Sequence, residues 1–355
     1  MSQAQPRRQL SAHGIPRRSR ARPCRFRHAL PGVSAGLKEV VLQAAAELGY
    51  QPAKPRQPRR SIAHRTIAVV YAQSNPNLTR EAEPTTLYLN YLSGIRAFAQ
   101  TTNLNLTVIA DYHEEDTRQL AFHLVHHSTP PFDGFILIGG SARQNQQLMH
   151  QIMEKNIPAV ALSRSWPALP VSTVGPDYRQ QVRIALSYLS DLGHRQIAFL
   201  ASENDRRFDW YTWRLEAYQQ WMGELNGAID HGLIATGDNG AAAVVDLLKR
   251  RPDVTAIFAI NDERALEALA GLQTLGLRIP QDLSIIGQDN VVERMGSPPI
   301  LTTVGFPHAE VGYLAAELLL NNIQNDAISH CNLWVQCCLV ERASCARPGQ
   351  HRLTT

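Results

Sequence analysis

Two polar segments of this 355-residue chain follow short apolar runs of the length of a buried strand. Asn261 and Asp262 directly follow the apolar run at residues 254–260, and Asp289 comes shortly after the run at residues 283–287. Small ligands bind at the carboxyl ends of the strands of an open α/β sheet, and amides and carboxylates offer the donors and acceptors that a polyhydroxylated ligand needs. The spacing therefore predicts a hydrogen-bonding site. Capping of the following helix is the alternative role for Asn261 and Asp262.

The sequence lacks the features of an enzyme. No Gly-x-Gly-x-x-Gly follows the first strand, and no glycine-rich loop ends in Lys-Ser or Lys-Thr. The pair His126-His127 has no partner at metal-ligand spacing. We therefore expect no catalytic residue, no metal site and no cofactor. We also expect reduced packing residues at the five cysteines, whose spacing suits neither bridges nor zinc: Cys24, Cys331, Cys337, Cys338 and Cys345.

Strands and helices alternate from Thr66 onwards, which predicts parallel sheets built from βαβ units. The economical interpretation is an α/β fold of two doubly wound, Rossmann-like lobes around a ligand cleft. We expect this core to span residues 66–345, followed by a tail at 346–355. Its lobes are predicted in two pieces each: lobe 1 at about 66–163 plus 296–325, and lobe 2 at about 164–295 plus 326–345.

Charge is distributed unevenly along the chain. Residues 1–65 carry fourteen Lys and Arg against two Glu, a net +12, whereas the remainder carries twenty-one against twenty-nine acidic residues, a net −8. A basic head on an acidic body is typical of nucleic-acid contact, although a disordered basic tail gives the same count. The candidate DNA contacts are Arg17, Arg18, Arg20, Arg59 and Arg60.

Within the basic head, one amphipathic helix is predicted in residues 31–52, followed by a linker at 53–65. Its apolar residues recur at helical spacing after Ser34 and stop at Gly49. Residues 1–30 form an irregular basic segment, because they hold eight Arg, no acidic residue and three prolines that break any long helix.

Several segments resemble, in order, the lactose/galactose repressor family of transcriptional regulators. They are residues 132–138 (FDGFILI), 192–200 (LGHRQIAFL), 261–266 (NDERAL), 276–290 (GLRIPQDLSIIGQDN) and 298–304 (PPILTTV). The resemblance covers about Thr66 to Ser344. It implies a periplasmic-binding-protein-like effector core and a sugar-responsive repressor.

The resemblance also implies effector contacts. Arg214 matches the effector-contacting arginine near the start of a second-lobe helix, where its planar fork of donors can clamp vicinal hydroxyls or a carboxylate. Asn261 and Asp289 match second-lobe polar contacts. Ser163 stands where many members carry Asp. Asn239 and His308 stand where some members carry aromatic residues, so the pocket differs from that of well-known members. The remaining candidates are Gln73, Trp210, Asn239 and His308.

Resemblance in the head is partial. Residues 31–52 resemble the third helix of the family's DNA-binding headpiece. No helix-turn-helix pattern is recognisable in residues 1–30, and the linker lacks the leucine of the family's hinge helix. A reading-frame error or misplaced start would explain the break, and so would a genuine disordered arm that binds phosphates nonspecifically. Sequence-specific binding needs a rigid reading helix. We therefore do not expect it of the chain as written.

Three functions remain open. The first is a repressor, expected as a homodimer that binds operator DNA and a sugar effector such as a galactoside. The second is a cytoplasmic sugar-binding module without specific DNA recognition. The third, a transporter's solute-binding protein, needs export. No signal peptide is evident, and no apolar run approaches the roughly 20 residues of a membrane span. We therefore expect a cytoplasmic protein without membrane contact, and a dimer, because the tail shows no apolar heptads.

Overall fold

The computed structural model describes residues 65–72, 86–111, 132–139, 142–163, 171–291, 300–325 and 330–349. Several sequence-based predictions lie outside these residues. They concern the basic segment, the headpiece helix and the linker, the five candidate DNA-binding arginines, and Gln73. None of the described helices combines the length and the apolar character that crossing a lipid bilayer requires.

Lobe 1 is built on a six-stranded sheet in the order β11-β5-β4-β3-β1-β2, whose paired strands are all parallel. The helices of this lobe among the described residues are α1 (Thr86–Thr102), α2 (Ala142–Glu154) and α7 (His308–Gln324). The strands are β1 (Thr66–Ala72), β2 (Asn105–Asp111), β3 (Gly134–Gly139), β4 (Ala159–Leu162), β5 (Ser172–Pro176) and β11 (Asn332–Val335).

Lobe 2 has a second six-stranded sheet in the order β12-β10-β9-β8-β6-β7, in which only β12 pairs antiparallel. Its strands are β6 (Ile197–Ser202), β7 (Ile234–Gly237), β8 (Ala256–Ala259), β9 (Ser284–Asp289), β10 (Thr302–Gly305) and β12 (Cys338–Val340). Its helices are α3 (Tyr178–Asp191), α4 (Asp209–Asn226), α5 (Gly240–Arg250) and α6 (Asp262–Thr274). Short 3-10 turns lie at Glu203–Arg207 and His231–Leu233.

The apolar runs form strands because helices cover both faces of each parallel sheet. All residues of β6, β8 and β4 are buried, as expected for strands without a solvent face. The predicted fold class, two doubly wound lobes, is confirmed.

The chain passes between the lobes three times, and the predicted lobe boundaries are wrong at each passage. It crosses after β5, after β10 and between β11 and β12. Strands β5 and β11 therefore belong to lobe 1, and β10 belongs to lobe 2, the reverse of the sequence-based assignment. The reason is that a buried strand has the same apolar pattern in either sheet, so its pattern does not identify its partner.

Helices α1 and α7 pack with their backbones in contact. A Cβ added to Gly94 would lie 1.7 Å from the Ala309 oxygen, and one added to Gly312 would lie 2.0 Å from the Tyr91 oxygen. No side chain fits in either place. This close contact places the start of α7 beside Tyr91, next to the candidate site.

Candidate functional site

Arg214 joins three elements of lobe 2. It lies in the second turn of α4 and is only 2% exposed. Its Nη1 donates to the Ile260 oxygen at 2.6 Å, just beyond the carboxyl end of β8, and its Nη2 donates to Asp289 Oδ1 and to Gln181 Oε1, the latter at 2.9 Å. The two charges neutralise one another, so the buried guanidinium is stable in a site of low polarity.

Asp289 is the last residue of β9 and lies at the edge where the sequence predicts ligand binding. Its φ angle is 91°, and that of Asn290 is 54°. Two successive non-glycine residues at positive φ are uncommon, and such backbone strain is often found at functional sites. Its carboxylate is 15% exposed, so part of it stays accessible while Oδ1 holds Arg214.

Aromatic rings surround the Arg214 guanidinium. Its Cζ lies 4.8 Å from the centroid of Tyr178 and 5.5 Å from that of Trp210. The Trp210 ring stacks on Phe208 with centroids 5.2 Å apart and planes 6° apart. Trp210 is half-buried, as is Phe208. The structure therefore places Trp210, a candidate from the sequence, beside Arg214.

Ser163 brings lobe 1 to the same place. It follows β4 at a φ of 53°, and its Oγ lies 2.5 Å from the Tyr91 hydroxyl. The Tyr178 hydroxyl donates to the Ser163 carbonyl oxygen at 3.0 Å. Burial, above all, raises the pKa of Tyr91 well above its usual value, so this phenol stays neutral. Because Tyr178 contacts both Ser163 and Arg214, it connects the two lobes.

His308 is the first residue of α7 and comes directly after the second passage between lobes. It is 7% exposed, and its ring lies 4.3 Å from Phe306 between centroids. Its Nδ1 lies 3.5 Å from Asn90 Nδ2, and Nε2 finds no partner of good hydrogen-bond geometry among the described residues. Burial lowers the pKa of His308, an effect that the nearby Asp289 opposes. A neutral imidazole that can donate or accept results.

Asn261 and Asn239 serve as helix caps. Asn261 Oδ1 accepts the Arg264 N–H at 2.8 Å at the start of α6, and Asn239 Oδ1 accepts the Ala242 N–H at 2.9 Å at the start of α5. Each satisfies a backbone donor that the first helical turn leaves free. Of the two roles open to Asn261 from the sequence, the capping role is therefore present.

Asp262 differs from Asn261 in being fully buried, although the sequence pattern suggested the same roles for both residues. It accepts hydrogen bonds from Thr303 Oγ1 at 2.6 Å and from the Val291 N–H at 2.8 Å. Burial is the main cause that raises its pKa to about 7. Asp262 thus ties α6 to β10 and to the segment after β9.

Gln181 is the main site residue that the sequence analysis missed. It is fully buried in α3, on the face that also carries Ala185 and Leu189, and it bonds to both Arg214 and Asp289. A polar residue inside the apolar stripe of a helix is the signal that points to it.

Comparisons with known proteins agree with this architecture. Residues 186–345 match the family described as a periplasmic binding protein-like domain. The chain is 29% identical over 318 residues to the HTH-type transcriptional repressor CytR of Escherichia coli (strain K12), covering 88% of each chain. It also matches a LacI family transcriptional regulator from Enterococcus faecalis V583 with bound ribose, at 26% identity and a TM-score of 0.62, over 80% of this chain and 99% of that one. The chain is a homologue of the LacI-family regulators.

A further LacI-family match is the solved complex of the transcriptional regulator CelR with cellobiose. It has 27% identity and a TM-score of 0.68, over 88% of this chain and 92% of that chain. The resemblance drawn from the sequence motifs is therefore confirmed. These relatives are transcriptional regulators and not enzymes.

Proposed function

We propose that the chain is a cytoplasmic, sugar-responsive transcriptional repressor that acts as a homodimer. Its effector binds between the two lobes and changes the affinity for operator DNA. The observation that carries the proposal is the convergence of Arg214 and Asp289 from lobe 2 with Ser163 and His308 from lobe 1, around Tyr178. Support for the DNA-binding half comes from the relatives, which are named transcriptional repressors and regulators.

The chemistry of the site favours an uncharged effector. Asp289 already neutralises Arg214, so a carboxylate ligand would approach a second carboxylate and compete with it. A hydroxyl can accept from a cation and donate to a carboxylate at the same time. The stacked pair Phe208 and Trp210 offers an aromatic surface for the apolar face of a sugar ring. A neutral sugar, such as a galactoside, fits these groups.

Operator and effector are linked thermodynamically. If the effector weakens operator binding by a given factor, the operator weakens effector binding by the same factor. Closing the lobes on a ligand changes their relative position, and the three passages between them are the segments that must absorb the change.

Calorimetry on the full-length protein tests the effector. Cellobiose, ribose and methyl galactoside are the neutral probes, and gluconate is the charged control. We expect heat from at least one neutral sugar, none from gluconate, and loss of the heat in Arg214→Lys, whose ammonium cannot reproduce the planar fork. A folded protein that gives no heat with any neutral sugar contradicts the proposal, as does unchanged binding by Arg214→Lys.

Fluorescence anisotropy at fixed salt tests the DNA-binding half. The probes are a labelled duplex from the region upstream of the chain's own gene and a scrambled duplex of the same composition. We expect tighter binding to the native duplex, and a change in that affinity when the sugar found by calorimetry is added. Equal, strongly salt-dependent binding to both duplexes would leave only nonspecific phosphate contact and overturn the regulatory role.

A further inference from the structure

The side-chain amide of Gln181 makes three hydrogen bonds. Its Oε1 accepts from Arg214 Nη2 at 2.9 Å, and its Nε2 donates to the Val304 carbonyl oxygen at 2.8 Å and to Asp289 Oδ1 at 3.3 Å. The side chain is 0% exposed. A buried amide with three partners is strongly constrained in position, because each lost bond would leave a buried polar group unpaired.

The partners determine which way the amide is turned. Turning it over would set its NH₂ against the Arg214 guanidinium and its oxygen against Asp289 and the Val304 oxygen. All three contacts would then be repulsive. An ionised Glu only accepts, and an apolar residue of the same length neither donates nor accepts, so neither can make this set of three bonds.

The helix that carries Gln181 is anchored at its first turn. Asp177 caps α3 by accepting the N–H groups of Arg179 and Gln180, and Gln180 Oε1 accepts the Cys337 N–H at 3.1 Å between β11 and β12. Val304 lies near the end of β10. Gln181 therefore bonds to the strand before the second passage between the lobes, and its neighbour Gln180 bonds to the segment of the third passage.

We propose that Gln181 is a positioning residue for effector binding: it holds Arg214 and Asp289 in one arrangement and links them to the strand that leads into the second passage between the lobes. The pair alone shares a single hydrogen bond between the side chains. Gln181 adds a bond to each member, and so keeps the guanidinium from rotating. This proposal rests on the proposed function only in taking Arg214 and Asp289 as effector contacts.

The test requires no ligand. Protein labelled with ¹³C and ¹⁵N in arginine is compared by NMR with Gln181→Met and Gln181→Leu, and the Arg214 signals are assigned by their loss in Arg214→Lys. We expect slow rotation about the Cζ–Nη2 bond of Arg214 in the natural protein and rotation at least about tenfold faster in both Gln181 variants, because one of the two acceptors of Nη2 is removed.

Tyr218→Phe is the matched control. It removes another buried hydrogen bond of lobe 2, from the Tyr218 hydroxyl to the Ile197 oxygen at 2.8 Å, without touching the pair. We expect it to lower stability and to leave Arg214 rotation unchanged. Both Gln181→Met and Gln181→Leu are made, so that the test can still be carried out if one of them fails to fold. Rotation within twofold of the natural rate in a folded Gln181 variant overturns the proposal, and so does an equal acceleration in Tyr218→Phe.

The sugar found by calorimetry provides a second measurement. We expect about tenfold weaker binding in Gln181→Met and binding within twofold of natural in Tyr218→Phe. If no sugar binds while the NMR result stands, the proposed function fails and the positioning role remains. If a sugar binds equally well to Gln181→Met and to the natural protein, the role in effector binding is wrong.

Discussion

The Nη2 of Arg214 donates to Asp289 Oδ1 across 75 residues of sequence, with the guanidinium 2% and the carboxylate 15% exposed. Taking two charges out of water is costly, and a pair of this kind is stable only with good geometry and further hydrogen bonds. Gln181 and the Ile260 carbonyl oxygen supply these bonds. The contact therefore joins α4 to the carboxyl end of β9.

Breaking this pair on one side is expected to destabilise the protein. Asp289→Ala leaves the buried Arg214 uncompensated and should lower the free energy of unfolding by about 3–5 kcal/mol, whereas the double variant Arg214→Met/Asp289→Leu should recover most of the loss. Urea denaturation measures both. If the losses of Arg214→Met and Asp289→Leu, each measured alone, simply add in the double variant, the two charges are not coupled.

Gly94→Ala is expected to separate α1 from α7. The new Cβ would lie 1.7 Å from the Ala309 backbone oxygen, and a backbone atom cannot move aside cheaply. Stability should fall by about 3 kcal/mol. The neighbouring exposed substitution Ser93→Ala should change it by less than about 0.5 kcal/mol. Thermal unfolding of the two variants side by side decides the matter, and equal melting temperatures would contradict the close packing.

The buried Asp262 should make stability depend on pH. Its pKa is about 7 in the folded protein, raised by burial from an ordinary 3.8, so the folded state keeps a proton that the unfolded state has lost between these values. The resulting stabilisation is complete below about pH 4 and is lost as pH rises through 7. Asp262→Asn removes this term, since Asn can accept from the Val291 N–H and donate to Thr303.

Relative to the natural protein, Asp262→Asn should therefore gain about 2–3 kcal/mol between pH 5 and pH 8. Urea denaturation at four pH values within that interval measures the gain. Asp238→Asn, on the exposed turn after β7, serves as the control for an Asp-to-Asn change at the surface. A constant offset between Asp262→Asn and the natural protein would show that Asp262 does not titrate in this range.

The four cysteines that the structure describes are free thiols, and they should differ in reactivity. Burial raises the pKa of Cys337 to about 12 and that of Cys345 to about 11, whereas Cys338 is exposed. Because the thiolate is the reactive form, iodoacetamide at pH 8 should modify Cys338 first and Cys337 and Cys345, whose thiol pKa values are raised, last. Peptide mapping by mass spectrometry follows each site. Modification of Cys337 as fast as Cys338 would contradict the burial of this segment.

Much of the fold could be predicted from local sequence. The apolar runs before Asn261 and Asp289 form β8 and β9, because residues covered on both faces of a sheet must be continuously apolar. The capping role of Asn261 follows from its side chain and its position before a helix. These features depend on neighbours within a few residues, which is why the pattern is sufficient.

The chain's sequence by itself determined the alternation of strands and helices, the edge that carries Asp289 and the family resemblance. Tertiary structure alone decided which sheet β5, β10 and β11 join, and that Gln181, Tyr91 and Tyr178 reach the Arg214 pair. The physical reason is the range of the interactions. Helix and strand patterns record local burial, whereas strand pairing and buried hydrogen bonds join residues that come together only when both lobes have folded.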